Sequence, residues 1–392
     1  MSEPGFTANI HPSTASIDAD VWNRLSPNTK GKPHNPFLDH AFFLALEEAG
    51  CATGRTGWQP QHILLRDEAG EPIALMPLFA KSHSMGEYVF DHGWADAFER
   101  AGGHYYPKLQ SSVPFTPATA PKFLVPSGQL DMHAHLMAAA QQFCVQIDAS
   151  SIHATFLPEE EAQTISAAGW LERTDTQFHW FNRGYETFDD FLNSLSSRKR
   201  KTIRRERREA LEAEGLTVKW LSGSDLREEH WDAFYEFYED TGSRKWGRPY
   251  LNREFFSRIN QSMPDSIVLM LAYDGDEPIA GALNFVGKDR IYGRNWGCTR
   301  QVPFLHFELC YYQAIEYAIT HKLSVVEAGA QGEHKLARGY EPTLTHSVHW
   351  IAHPGLRDAV ADYLERERRS VERGQEMMGQ FTPFRRGERS DN

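Results

Sequence analysis

Apolar and polar positions alternate with the period of strands in two separate parts of the chain. One stretch, HILLRDEAGEPIALMPLFAKSHSMGEYVFDHGWA, begins at His62, and another, VLMLAYDGDEPIAGALNFVGKDRIYGRNWGC, begins at Val268. Each reads as an apolar strand, an acidic glycine turn, the tetrapeptide EPIA, a second strand, a polar turn and a third strand reaching a Gly/Trp pair. Turn residues between apolar runs are a hairpin signal, so each stretch is predicted to be an antiparallel meander. The tripeptide VPF follows in both, at Val113–Phe115 and Val302–Phe304. A helical period comes next, in HAHLMAAAQQFC and FLHFELCYYQAIEYAI, and then a short strand, SIHATF or LSVVEAG. Both series close on a Gly-aromatic pair and a strand ending in His-Trp, GWLERTDTQFHWF and GYEPTLTHSVHWI. Gly169 and Gly339 are 170 positions apart, as are His179 and His349.

Matches in one order along the chain predict an internal duplication. The expected fold class is mixed α/β on mostly antiparallel sheets. An N-terminal extension (1–35) precedes a first copy (36–182). The second copy (183–355) includes a linking helix over 195–213, and a charged, solvated helix and tail occupy 356–392.

Composition narrows the function. With 392 residues and 41% apolar content, the chain can fill more than one core. Its 53 acidic against 41 basic side chains argue against a general nucleic-acid binder, so any polyanion must be met locally. The N-terminal MSEPGFTANIHPSTAS carries no basic or apolar secretory signal. The run Ile73–Ala80 is far shorter than the roughly 20 residues of a membrane helix. Cys51, Cys144, Cys298 and Cys310 show no metal or redox spacing. These features predict a reducing, bacterial-type cytoplasm and no transmembrane segment.

Positive charge concentrates in LSSRKRKTIRRERREALEAEG, residues 195–215. No Pro or Gly interrupts Phe191–Ala213, and Leu192, Leu195, Ile203 and Ala210 make a narrow apolar stripe. From Glu206 onward acids and bases alternate, with Arg205/Glu209 and Arg208/Glu212 at i,i+4, which reads as a solvated face. Arg198, Lys199, Arg200 and Lys201 fall in the first turn, where the helix dipole disfavours cations. With Arg204 and Arg205 they form a candidate phosphate-binding face.

At this point the sequence resembles a family. NPFLDHAFFLALEEAG, YYPKLQSSVPFTPATAPKFL, LSSRKRKTIRRERREAL, FLHFELCYYQAIEYAI and EAGAQGEHKLARGYEPTLTHSVHWI together resemble the FemAB-like N-acyltransferases of the GNAT superfamily. The resemblance runs from about Asn35 to His353. It implies two GNAT-like acyl-CoA N-acyltransferase domains in tandem, joined by the basic helix. It also implies transfer of an acyl or aminoacyl group to an amine, with acyl-coenzyme A or aminoacyl-tRNA as donor co-substrate and no metal. A peptidoglycan-precursor-like or other anionic acceptor would be the partner, and tRNA a second one. One departure bears on the donor. The place of the family's glycine-rich pyrophosphate loop reads RQVPFL, Arg300–Leu305, in the second copy, where Pro303 removes a backbone donor and no glycine stands. That points away from acetyl-coenzyme A, and toward another donor or a non-catalytic binding protein with a degenerate GNAT fold.

Acyl transfer to an amine needs a proton acceptor and donors for the oxyanion. The densest polar cluster is in the second copy. His306 and Glu308 stand in the first turn of a helix predicted to open at Pro303, and Glu327 and His334 flank a glycine turn; these four are the catalytic candidates. Arg294, Trp296, Gln331, Lys335, Arg338 and Tyr340 surround them in sequence as substrate-binding candidates. In the first copy Asp91, His92 and Trp94, with the polar-aromatic strand carrying Tyr105, Tyr106 and Lys108, suit an acceptor. His179 and His349 recur at equivalent places and are expected to serve the fold.

Overall fold

The computed structural model describes residues 5–26, 34–126, 131–212, 214–245, 249–329, 332–379, 381 and 383–385. Its elements in chain order begin with β1 (Thr7–His11), α1 (Ala19–Leu25), α2 (His40–Glu48), β2 (Trp58–Pro60), β3 (His62–Arg66), β4 (Pro72–Met76) and β5 (Phe79–Lys81). There follow α3 (His92–Arg100), β6 (Lys108–Ser111), α4 (Met132–Gln146), β7 (Ser151–Leu157), α5 (Glu159–Ala167) and β8 (Leu171–Phe181). Then come α6 (Phe188–Ser194), α7 (Ser197–Ala210), β9 (Thr217–Leu221), α8 (Glu228–Lys245), α9 (Arg253–Ser262), β10 (Ile267–Asp274), β11 (Glu277–Val286) and β12 (Arg290–Cys298). The chain closes with the single turn α10 (Leu305–Phe307), α11 (Gln313–Thr320), β13 (Val325–Glu327), β14 (Glu341–Ile351) and α12 (Pro354–Gly379). Among the described residues no helix is long and apolar enough to cross a membrane.

The chain divides into two compact units. Unit 1 holds residues 1–175 and 344–372, and unit 2 holds 176–343 and 373–392. In unit 1 a small sheet runs β1-β3-β4, and a second follows the order β2-β5-β6-β7-β14. Pro77 separates β4 from β5 and has no N–H for a continuous ladder, so the two strands enter different sheets. In unit 2 the order is β8-β13-β12-β11-β10-β9, and the second EPIA lies on the unbroken strand β11. Each unit thus takes its closing strand from the other repeat. His349 on β14 pairs with His153 of β7 in unit 1, and His179 on β8 pairs with Glu327 of β13 in unit 2.

Several local expectations are corrected. The third strand expected to reach Gly93 and Trp94 is absent. Asp91 instead stands at the start of α3, which buries Trp94 and Ala95 on one face. Tyr105 and Tyr106 precede the strand, which starts at Lys108 after Pro107. The C-terminal helix is not solvated all round, because Leu356, Val360 and Leu364 pack with Trp94 and Tyr105. The basic helix runs Ser197–Ala210, and the expected single stripe is split: Leu192 belongs to α6 and Leu195 to the turn after it, while Ile203 and Ala210 lie on the basic helix, all four buried.

Candidate active site

In unit 2, β12 and β13 are parallel neighbours over Arg290–Tyr292 and Val325–Glu327 only. Beyond that point β12 continues along β11, while the chain after β13 turns away at Gly329, whose φ is 79°. Parting parallel strands leave an opening at their carboxyl ends, where open α/β sheets bind ligands. Two irregularities flank it. Asn284 faces Gly293 and Leu283 faces Asn295, so Arg294 is the extra residue of a bulge that re-aims the strand. A π-turn, Glu308–Tyr312, interrupts the helix between α10 and α11, a feature frequent at functional sites.

Six of the sequence candidates converge here. Trp296 and His306 lie with ring centroids 5.3 Å apart, and His306 lies 5.5 Å from Tyr311. Tyr311 Oη and His334 Nε2 are 2.9 Å apart. Arg338 sits 3.5 Å over the Phe307 ring, and its Nη1 donates to the His334 carbonyl at 2.8 Å. The ring of Tyr340 is 5.5 Å from that of Tyr311, and its buried hydroxyl has no partner among the described residues. Lys335 is 2% exposed, and its Nζ donates to the carbonyls of Ala328 at 2.7 Å and Gly329 at 2.9 Å. No carboxylate among the described residues holds it, and burial lowers its pKa to about 8. His334 is also held below its ordinary value, by burial first and then by Arg338 and Lys335. Aromatic rings therefore flank His334, the Lys335 ammonium is buried 6.0 Å from the Tyr311 ring, and burial disfavours the charged imidazole.

Glu327 and Glu308 are placed differently. Glu327 accepts from Arg290 Nη1 at 2.7 Å and is nearly buried. Glu308 is fully buried, accepts from Arg207 at 2.9 Å and from Gln313 at 2.7 Å, and burial raises its pKa. Neither hydrogen-bonds to His334 or Lys335. Gln331 lies outside the described residues.

The second half of the basic helix is not a solvated face. Glu206 is buried, receives Arg338 Nη2 at 2.9 and 3.0 Å, and accepts from the Tyr312 hydroxyl. Arg207 reaches both Glu308 and, at 2.6 Å, Glu316. Charge alternation hid this. The available signal was position, since Glu206 stands on the stripe between Ile203 and Ala210. On the outer face Arg204 pairs with Asp189 at 2.9 Å, Arg205 with Glu209 at 3.7 Å, and Arg200 donates to Asn193 at 2.9 Å. Arg198, Lys199 and Lys201 carry no ion pair among the described residues.

Unit 1 gathers a closed ionic cluster. Lys108, fully buried, pairs with Asp91 and, at 2.7 Å, with Glu87. Tyr105 donates to Asp91 at 2.8 Å, and Tyr106 meets Ser84 at 2.9 Å. Trp94 lies 5.0 Å from His349, whose Nδ1 is 2.7 Å from that of His153. His92 is exposed and stacks on Phe90, outside the cluster. Sequence reading missed Lys81, Glu87 and His153. Lys81 lies 3.6 Å over Trp58, burial brings its pKa down to about 7, and burial lifts that of Glu87 to about 7.

The two units correspond at this point. Gln110 faces His153 on parallel strands just as Tyr292 faces Glu327, so Lys108 takes the place of Arg290. Each copy thus puts a cation, a second polar group and the recurring histidine where its parallel strands meet.

The comparisons with known proteins agree with this architecture. Similarity to FemX, at 13% identity over 91% of this chain and 100% of that one, has a TM-score of 0.53. The C-terminal domain of a putative lysylphosphatidylglycerol synthetase from Agrobacterium fabrum is 9% identical over 90% of this chain and 97% of that one, with a TM-score of 0.51. A tandem GNAT protein from the clavulanic acid biosynthesis pathway is 12% identical over 89% and 98%, with a TM-score of 0.48. The fold is therefore the mixed α/β fold of FemX, here divided into two units. The chain belongs to the FemAB-like family, described as peptidoglycan biosynthesis/recognition, whose pattern matches residues 13–386. No curated protein matches it.

Proposed function

We propose that the chain transfers an acyl or aminoacyl group from an activated ester or thioester to an amine, in the cleft where β12 and β13 part. The observation that carries this reading is Lys335, an ammonium buried between two carbonyls, with no carboxylate partner among the described residues, and beside a neutral His334. The amine nitrogen attacks the donor carbonyl carbon. Negative charge forms on the carbonyl oxygen, where the remaining Lys335 N–H can meet it in a water-poor setting. His334, oriented by Tyr311, takes the proton that the amine loses. It returns that proton to the leaving oxygen or sulfur as the acyl–donor bond breaks. Trp296, His306 and Phe307 give flat faces for the donor, and Arg338 is held on Phe307 by Glu206. The unpaired Arg198, Lys199 and Lys201 would meet donor or precursor phosphates. The family description makes a peptidoglycan precursor the acceptor to try first, and the sequence resemblance to aminoacyl-transferring enzymes makes aminoacyl-tRNA the donor to try with it.

The test is single-turnover transfer from aminoacyl-tRNA to a nucleotide-linked cell-wall precursor. Lys335→Met should lower the rate at least ~100-fold, the scale of losing one oxyanion donor. Turnover should rise through the depressed pKa of His334 and fall as Lys335 deprotonates near pH 8. Wild-type turnover in Lys335→Met sinks the mechanism. Tight precursor binding without transfer from any donor selects the non-catalytic binding reading instead.

A further inference from the structure

Unit 2 holds a cavity of about 440 Å³ that shares no lining residue with the cleft. One wall is the turn between α6 and α7, with Asn193 and Ser194, and the other is the returning C-terminal chain, with Phe384 and Arg385. Backbone pairing fixes that return. Phe384 bridges Leu195, Ser196 N donates to the Pro383 carbonyl at 2.9 Å, and Arg385 N donates to the Ser194 carbonyl at 3.0 Å. The size falls within the range of small-molecule sites.

Its lining carries two arginines against one carboxylate. Arg183 lies 4.9 Å over the Phe384 ring and gives one nitrogen to Glu341 at 2.9 Å. Arg385 has no side-chain partner among the described residues, and Arg200 reaches Asn193 at the rim. The lining carboxylate, Asp190, is already engaged, since its Oδ2 accepts from Thr187 N and Oγ1 at 2.8 Å each. Tyr185 adds an aromatic face and donates to Ser194 Oγ at 3.1 Å.

We propose that this cavity is a second binding site, for a small phosphorylated molecule with a planar group. Guanidinium forks match phosphate oxygens bidentately, and the Phe384 and Tyr185 faces suit a ring. The site stands independently of transfer chemistry in the cleft.

Equilibrium dialysis on the full chain tests it with two probes, radiolabelled pyrophosphate and a nucleoside diphosphate. Wild type should bind both saturably, the nucleotide more tightly. Arg385→Gln and Arg183→Gln should each weaken both probes about tenfold, the loss expected for a charged hydrogen bond. Phe384→Ala should weaken the nucleotide more than pyrophosphate, and Lys219→Gln, an exposed lysine on β9 at the other edge of the strand order of unit 2, should change neither more than about twofold. Absence of saturable wild-type binding overturns the site. So does unchanged affinity in both arginine variants, or an equal loss in the Lys219 control. Equal affinity for the two probes removes the planar group from the proposal. Arg385 is exposed, so its variant keeps the wild-type thermal midpoint and a lost affinity reads on binding.

Discussion

Glu327 and Lys335 follow one glycine-rich turn apart, yet they meet different physics. Glu327 is matched by Arg290 on the neighbouring strand, at the place Lys108 and His153 occupy in the other repeat. Lys335 is buried and gives its hydrogen bonds to two backbone carbonyls. Glu327→Gln should therefore act on stability. Removing one partner of a nearly buried pair should cost about 3 kcal/mol, at the low end because Arg290 keeps Asp289 and some water. Urea melts should show that loss, while transfer per folded molecule stays near wild type. An unchanged melt with abolished transfer would return Glu327 to the chemistry. Lys335→Met should do the reverse and leave the melt no weaker, since an ammonium whose pKa burial lowers to about 8 is costly to bury.

At the scale of elements, α7 explains how an acidic protein carries a strongly basic segment. One face of the helix is committed to unit 2. Ile203 and Ala210 are in the core, Glu206 holds Arg338, and Arg207 holds Glu308 and Glu316. The opposite face leaves Arg198, Lys199 and Lys201 to solvent in the first turn, where the dipole opposes them. Reversing these three to Glu should weaken binding of a tRNA or nucleotide-linked ligand and flatten its salt dependence. Stability should hold or rise, by about 0.3–1 kcal/mol per acid placed near the helix N-terminus. Affinity at two salt concentrations, with a thermal melt beside it, checks both halves. Equal affinity and equal salt slope in the reversed protein would make the face structural.

For the whole molecule, the choice of donor follows from what stands before α10. Pro303 offers no N–H, and Phe304 takes a left-handed φ of 62° without a glycine. A helix entered through a proline and a left-handed phenylalanine is a poor cradle for a pyrophosphate. Acetyl-coenzyme A should bind with a dissociation constant above about 1 mM, the range of a few kcal/mol in all. Calorimetric binding in the low micromolar range would restore an ordinary acetyltransferase.

The order of elements in the second repeat, the duplication, the basic helix and the burial of Leu192, Leu195, Ile203 and Ala210 could be read from the sequence, because each is a local period or a repeated string. So could most of the cleft, since Trp296, His306, His334, Lys335, Arg338 and Tyr340 crowd into few segments. Partnership could not be read. Whether Glu206 faces water or Arg338, and whether Glu327 meets His334 or Arg290, depends on segments far apart in the chain, and charge patterns carry no such address. The exchange of closing strands was hidden for the same reason. His179 and His349 sit in strands of the same pattern, and a strand's own sequence displays its period and its buried face but not its neighbour. Only tertiary pairing, which puts His349 against His153 and His179 against Glu327, decided which strand completes which sheet.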